Sequence, residues 1–235
     1  MMNFLGNLLG GLLRFVYDIV SNIGTEPEQF SFYAMAIIIT TIIFKLLLLP
    51  IGLSTTKNQK KMSEIQPKMK AIQDKYKNDP QTMQIKMSEL YKEEKYNPAS
   101  SCLPMLIQLP IIFAFFKVMR EPATFVFKEP GLYEMINKTF LWIPNLENPD
   151  HLMWGLPLLA ALTTFLQSKT MPQAGGDEKQ QSTMKMMNMF LPVMIFFAAR
   201  NFAAGLALYW VLSNMFTIGQ QLISNRTLGN IKEEK

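Results

Sequence analysis

The chain has 235 residues, 49% of them hydrophobic and only 17% charged, with a formal charge of +5, 17 Phe and 18 Met. A single cysteine, Cys102, excludes a disulfide framework and a cysteine metal cluster. No HExxH, GxSxG, Walker A or dinucleotide fingerprint is present, so the common hydrolase, phosphoryl-transfer and dehydrogenase classes have no footing.

Mean hydropathy is barely positive at +0.10, so the apolar residues must be gathered into blocks. Only helices and closed barrels satisfy their backbone groups in lipid. The short alternating strands and turns of a barrel are missing. The predicted class is an all-α polytopic membrane protein with five transmembrane helices, an N-terminal interfacial amphipathic helix and a cytoplasmic helical hairpin. No cofactor and no metal are expected.

Residues 1–24 come first. Their apolar residues fall at 4/5, 8/9, 12/13, 15/16, 19/20 and 23, with Asn3, Asn7, Arg14, Asp18 and Asn22 on another face. Such a stripe predicts a helix lying in the membrane interface. A secretory signal is the alternative, although a basic start and a small-x-small cleavage site are missing.

The first span, 30–53, holds Lys45 inside an otherwise apolar run. An ionisable residue there costs roughly 2.5 kcal/mol or more on insertion scales, so it reads as a functional group facing a polar cavity. The alternative is an ammonium that snorkels to the interface. Thr41, one turn earlier, shares its face.

Residues 54–98 carry ten lysines against six acids, whereas 117–150 carries four bases against five acids. This asymmetry argues against nucleic acid and for a cytoplasmic lysine-rich segment, with the N-terminus outside and the tail 224–235 inside. Arg200, in the turn between the last two spans, falls outside and mildly violates the rule. Two helices, Thr55–Lys77 and Gln81–Lys95, are predicted to flank the turn Asn78-Asp79-Pro80. Met62, Ile65, Met69, Ile72 and Tyr76 in the first, and Met83, Met87 and Leu90 in the second, recur at 3-4 spacing. That spacing predicts an antiparallel pair packed along a seam, with Pro67 kinking the first helix or starting a new one. Lys57, Lys60 and Lys61 lie on the charged face of the first helix, and Met83 and Met87 could form a flexible recognition surface. The competing readings are a solvated lysine face that attracts headgroups and methionines packed as core.

The remaining spans are 99–119, 152–168, 189–200 and 203–223, separated by an external loop 120–151 and a cytoplasmic loop 169–188 whose Gly175-Gly176 pair reads as a linker. His151, beside Asp150, is read as a boundary residue rather than a ligand or base. Gln108 lies in the second span; Thr163, Thr164 and Gln167 lie in the third; Tyr209, Trp210, Ser213, Asn214, Thr217, Gln220 and Gln221 lie in the fifth. Singly these are interhelical glue worth roughly 0.6 kcal/mol each; bundled, they would line one hydrophilic interior surface. The blocks Leu152–Leu166 and Phe190–Ala199 would cover only about 22 and 15 Å at helical rise, against a hydrocarbon core of about 30 Å. They therefore predict a locally thinned bilayer.

Three runs, TTIIFKLLLLPI (Thr40–Ile51), CLPMLIQLPIIFAFF (Cys102–Phe116) and GLALYWVLSNMFTIGQQ (Gly205–Gln221), resemble the YidC/Oxa/Alb family of membrane protein insertases. The likeness covers nearly everything from Phe30 to Ile223, and lacks a large external domain and an extra first span, as in forms from bacteria with a single membrane. The resemblance implies a bacterial cell-membrane insertase and chaperone that moves small proteins into the bilayer, alone or beside the Sec translocon. It implies a groove open to cytoplasm and lipid, with Lys45 as its cation, Thr41 beside it, and Tyr209 and Trp210 against the substrate's apolar segment. The groove set is then Lys45, Thr41, Gln108, Thr164, Gln167, Tyr209, Trp210, Ser213 and Asn214, and the resemblance implies the hairpin, with Lys57, Lys60, Lys61, Met83 and Met87, in substrate or partner capture. Most members carry arginine where Lys45 stands; lysine keeps the charge and loses the bidentate fork. The tail has Arg226, Lys232 and Lys235 against Glu233 and Glu234, so ribosome contact through a long basic extension is not expected. Expected partners are nascent membrane proteins, lipid and the Sec translocon, with no nucleic acid. The alternative from another class is a small-solute transporter or channel subunit with Lys45 as an anion site. It calls for internal repeats, and none is found. An intramembrane enzyme ranks third, because no nucleophile–base pair is visible.

Overall fold

The computed structural model describes residues 2–97, 103–170 and 178–233. Cys102 and the Gly175-Gly176 pair lie outside the described residues. The described residues form ten helices in succession: α1 (Met2–Ser21), α2 (Phe32–Leu47), α3 (Leu49–Lys75), α4 (Pro80–Glu93), α5 (Leu103–Arg120), the short α6 (Pro122–Phe125) and α7 (Leu132–Met135), α8 (Leu156–Thr170), α9 (Glu178–Ala199) and α10 (Ala204–Glu233). The described residues contain no strand, only isolated bridges of Phe140 with Phe30 and Ile143.

Helix α10 is the hub. It packs on α8, α2, α3 and α5, while α8 pairs with α9 and α1 lies across α2 and α5. The core between them is apolar and centred on Tyr33, Ile37, Phe115, Val118, Phe127, Leu146, Leu156 and Tyr209. The loop between α5 and α8 covers one end of the bundle. The Thr139 carbonyl accepts from Ser31 N–H, the Asn148 and Leu146 carbonyls accept from Ala204 and Gly205 N–H, and Leu141 N–H donates to the Gln29 carbonyl. These bonds tie the starts of α2 and α10 to one layer and seal that end.

Helix α2 begins at Ser31, whose hydroxyl accepts from Ala34 N–H as an N-cap. It breaks at Leu48, before Pro50, and α3 leaves at 60°. The proline removes a backbone donor and clashes with the preceding turn, which accounts for the break. The sequence places that kink at Pro67; in the structure α3 runs on through Pro67, and the bend lies at the root of the helix. Beyond the elbow, α3 and α4 fold back on each other around a second, separate core of Met62, Ile65, Met69, Leu90 and Tyr96, with Ile72, Met87 and Tyr91 against it. Asp79 caps α4 by accepting from Thr82 N–H at 3.1 Å.

Helix α1 buries Gly6, Leu9, Gly10, Leu13 and Val16 against the bundle. The close approach requires glycine at position 10, because a Cβ there would run into the Phe125 carbonyl. By length and composition α1 is the one described helix that could cross a membrane unaided, and α2 with α3 passes the same test as a bent pair.

A polar seam on α10

The chemistry-bearing side chains of the bundle collect along one stripe of α10, spaced three or four residues apart and facing α2, α5 and α8. Lys45 Nζ donates to Thr217 Oγ1 at 3.2 Å, and Thr217 in turn donates to the Ser213 carbonyl at 2.8 Å. Lys45 is half-buried, and its charge has no carboxylate partner among the described residues. The amine reaches across to another helix rather than along its own toward the interface. Thr41 is 1% exposed, and its hydroxyl is spent on the Ile37 carbonyl at 2.7 Å, so it shares Lys45's face without offering a free donor.

One turn nearer the sealed end, Asn214 is buried between α10 and α8. Both ends of its amide are satisfied with the nitrogen on Gln167 Oε1 at 2.6 Å and the oxygen against Thr163 Oγ1, Thr164 Oγ1 and Trp210 Nε1 at 3.2, 3.0 and 3.2 Å. Trp210 Nε1 also donates to Thr164 Oγ1 at 2.9 Å. Ser213 is buried, with its carbonyl bonded to Thr217 as above. On the α5 side, Gln108 Nε2 donates to Tyr209 Oη at 3.2 Å. Tyr209 itself is 1% exposed with its ring stacked on Phe115 at 3.7 Å, which makes it a wall of the seam and not an open surface. At the other end of the stripe Thr170 bonds the Gln221 amide oxygen, and Gly52 of α3 lies so close to the Gln220 amide that a Cβ would sit 2.5 Å away.

The structure thus brings together Lys45, Gln108, Thr164, Gln167, Trp210, Ser213 and Asn214 along α10, with Thr41 and Tyr209 in the walls. Lys57, Lys60 and Lys61 stand apart on α3, the last donating to the Lys95 carbonyl at 3.4 Å. Met87 packs into the hairpin core and Met83 is half-buried. Sequence reasoning placed Thr163, Thr217 and Gln221 in the spans without singling them out as site residues. The signal was the i, i+4, i+8 register Ser213–Thr217–Gln221. Asp150, which the sequence marks only as the neighbour of His151, is buried and accepts from Trp142 Nε1 at 3.1 Å, Leu152 N–H at 3.0 Å and Leu156 N–H at 2.8 Å. Asp150 stands six residues ahead of Leu156, outside the cap position of α8, so no local capping signal marks it in the sequence.

The family profile described as 60Kd inner membrane protein matches residues 27–232. This chain belongs to that family of membrane insertases. Membrane protein insertase YidC of Clostridium tetani is 34% identical, with 96% of this chain and 95% of that protein aligned. YidC 2 of Listeria innocua is 38% identical over 86% of this chain and 67% of its own length. YidC of Chlorobaculum tepidum is 38% identical over 86% of this chain but only 34% of its own length. Among solved structures, one titled as an active YidC insertase with its first transmembrane domain resolved superposes with a TM-score of 0.60 at 26% identity. The likeness covers 90% of this chain, which spans only 45% of that one. The all-helical architecture is therefore that of YidC, in a bacterial membrane. The solute-transporter alternative finds no support in these relatives.

Proposed function

We propose that this YidC-family chain inserts and chaperones small or single-span membrane proteins through the polar seam on α10. The observation that carries the reading is Lys45: a half-buried cation, hydrogen-bonded to Thr217 and unpaired with any described carboxylate. A charge held this way inside an apolar bundle attracts an acidic, polar tail and lowers the cost of bringing it to mid-membrane. The polar groups run along α10 from Tyr209 to Gln221, about 18 Å at helical rise. Toward the capped end the interior turns apolar. This supports a groove open at the hairpin end and closed at the other, and the lysines of the hairpin support a cytoplasmic position for that end.

In this reading α2 with the root of α3, α5, α8, the later part of α9 and α10 are the five spans, and α1 lies in the outer interface. The polar stripe along the whole of α1 supports an interfacial position, because a spanning helix would expose it to lipid. Helix α8 has 15 residues and would reach only about 22 Å, so the bilayer thins beside the groove. The α3–α4 hairpin, with Lys57, Lys60 and Lys61 on its root, catches the incoming segment. Its tail then enters beside Lys45, Gln108, Gln167, Ser213 and Asn214, and its apolar part leaves past Trp210 and Thr164 into lipid. Hydrophobic partitioning and the membrane potential drive the step without a cofactor. Cooperation with the Sec translocon belongs to the same proposal.

The test is insertion of an acidic-tailed single-span protein into Sec-free liposomes, scored by protease protection of the translocated tail. Protection with wild type and Lys45→Arg, and its loss with Lys45→Ala, is the expected result. Equal protection in all three would remove Lys45 from the mechanism, and none above empty liposomes would remove Sec-independent insertion.

A further inference from the structure

A cavity of about 230 Å³ opens between α5, α8, α9 and α10 on the loop side of the seam, lined by Ile112, Phe113, Phe116, Ala198, Phe202 and Trp210 among others. Almost nothing polar faces it. With the spans assigned as proposed above it faces the bilayer, so hydrocarbon rather than water is the medium at its mouth. A helix, about 10 Å across with its side chains, cannot enter a space of this size; a single acyl chain can.

The rim supplies the second half of a recognition site. The Arg120 guanidinium stands 5.9 Å over the Phe116 ring, and Phe116 meets Phe202 edge-on at 5.4 Å; both rings line the cavity. Arg200 occupies the α9–α10 turn, between the lining residues Ala199 and Phe202. Neither arginine makes an ion pair among the described residues. Glu121 follows Arg120 and is exposed; it offsets part of the positive charge and leaves an excess. One arginine held against a lining ring and a second in the turn that borders the apolar slot match one ligand class: a phospholipid with its acyl chain inward and its phosphate at the rim.

We infer that this cavity is a binding site for an anionic phospholipid of the leaflet on the capped side. Its acyl chain would pack on the face of Trp210 whose indole nitrogen is engaged by Thr164, so the lipid would form the lipid-side wall of the seam. The leaflet assignment rests on the orientation proposed above; the site itself does not require insertase activity.

The test is photolabelling of the full-length protein in nanodiscs with phosphatidylglycerol carrying a diazirine on one acyl chain, mapped by mass spectrometry. Phosphatidylcholine with the same acyl probe is run in parallel. The result expected is preferential labelling of Phe113, Phe116 and Phe202 by phosphatidylglycerol. Ala198→Phe, which fills the slot, should cut it at least about fivefold, and Arg120→Gln with Arg200→Gln should bring it down to the phosphatidylcholine level, since each surface arginine is worth about fivefold in lipid affinity. Equal labelling by both lipids in wild type, or labelling at these residues unmoved by Ala198→Phe, would overturn the site. Lys45→Ala should leave labelling intact, so a failed lipid site and a failed insertase reading give different results.

Discussion

At the residue scale the seam depends on a few hydrogen bonds whose partners lie far apart in sequence. Thr217→Val keeps the shape and removes the Lys45 acceptor. Insertion in the liposome assay should fall by up to about tenfold, equivalent to ~1.4 kcal/mol, and by less than with Lys45→Ala. Asp150 offers a second test, on stability. Asp150→Ala strands the Trp142 indole, the Leu152 N–H in the preceding loop and the Leu156 N–H at the start of α8, at a cost of about 1–3 kcal/mol. The apparent unfolding temperature in detergent should drop and Trp142 fluorescence should shift, while Asp150→Asn should recover part of the loss. Lys45 was legible in the sequence because a lone cation in an apolar run stands out. Its partner was not: Thr217 is one of many polar residues in the last helix, and only the packing of α2 on α10 selects it. Tyr209 was legible as a polar aromatic in a span, whereas its stacking on Phe115 depends on how α5 crosses α10.

At the element scale the hairpin is a small folded unit of its own. The spacing of Met62, Ile65 and Met69 marks the side chains that the structure buries, because period 3-4 is a property of one helix face. Tyr91 and Tyr96 lie outside that period and escape it. Leu90 is 6% exposed in this core, and Leu90→Ala should cost about 2–5 kcal/mol, most of what so small a core supplies. Limited proteolysis should then cut within residues 76–97 while the bundle stays intact. The elbow at Leu48 was less legible than the hairpin. Pro50 and Pro67 carry the same local signal, and what separates them is that Gly52 packs on Gln220 just beyond the bend.

At the scale of the whole molecule, α1 and the loop hold each other. Arg14 donates to Asp18 at 2.8 Å and to Glu129 at 2.6 Å, and the guanidinium holds the Glu129 carboxyl below its ordinary range. A depressed carboxylate contributes stability above its unfolded pKa and loses it as pH falls through the lower folded value. Protection of α1 amides from hydrogen exchange should therefore weaken only in acid, below the usual glutamate range, and Glu129→Gln should abolish that dependence. The effect is small because the carboxylate is exposed. The amphipathic pattern of α1 was legible from its periodicity; its docking groove was not, since that takes α6 and the Phe125 backbone, brought in from 115 residues away.

The 60° elbow between α2 and α3 also sets a gear ratio. Helix α3, with 27 residues, is an arm of about 40 Å. Lys45 lies three residues before the pivot, on an arm of about 5 Å. A sweep of 10 Å at the far end of α3 is a turn of about 15°, which at Lys45 amounts to roughly 1 Å even if α2 followed completely. If the hairpin receives cargo as proposed, the outer arm could accommodate cargo of different bulk while the amine stays within reach of Thr217.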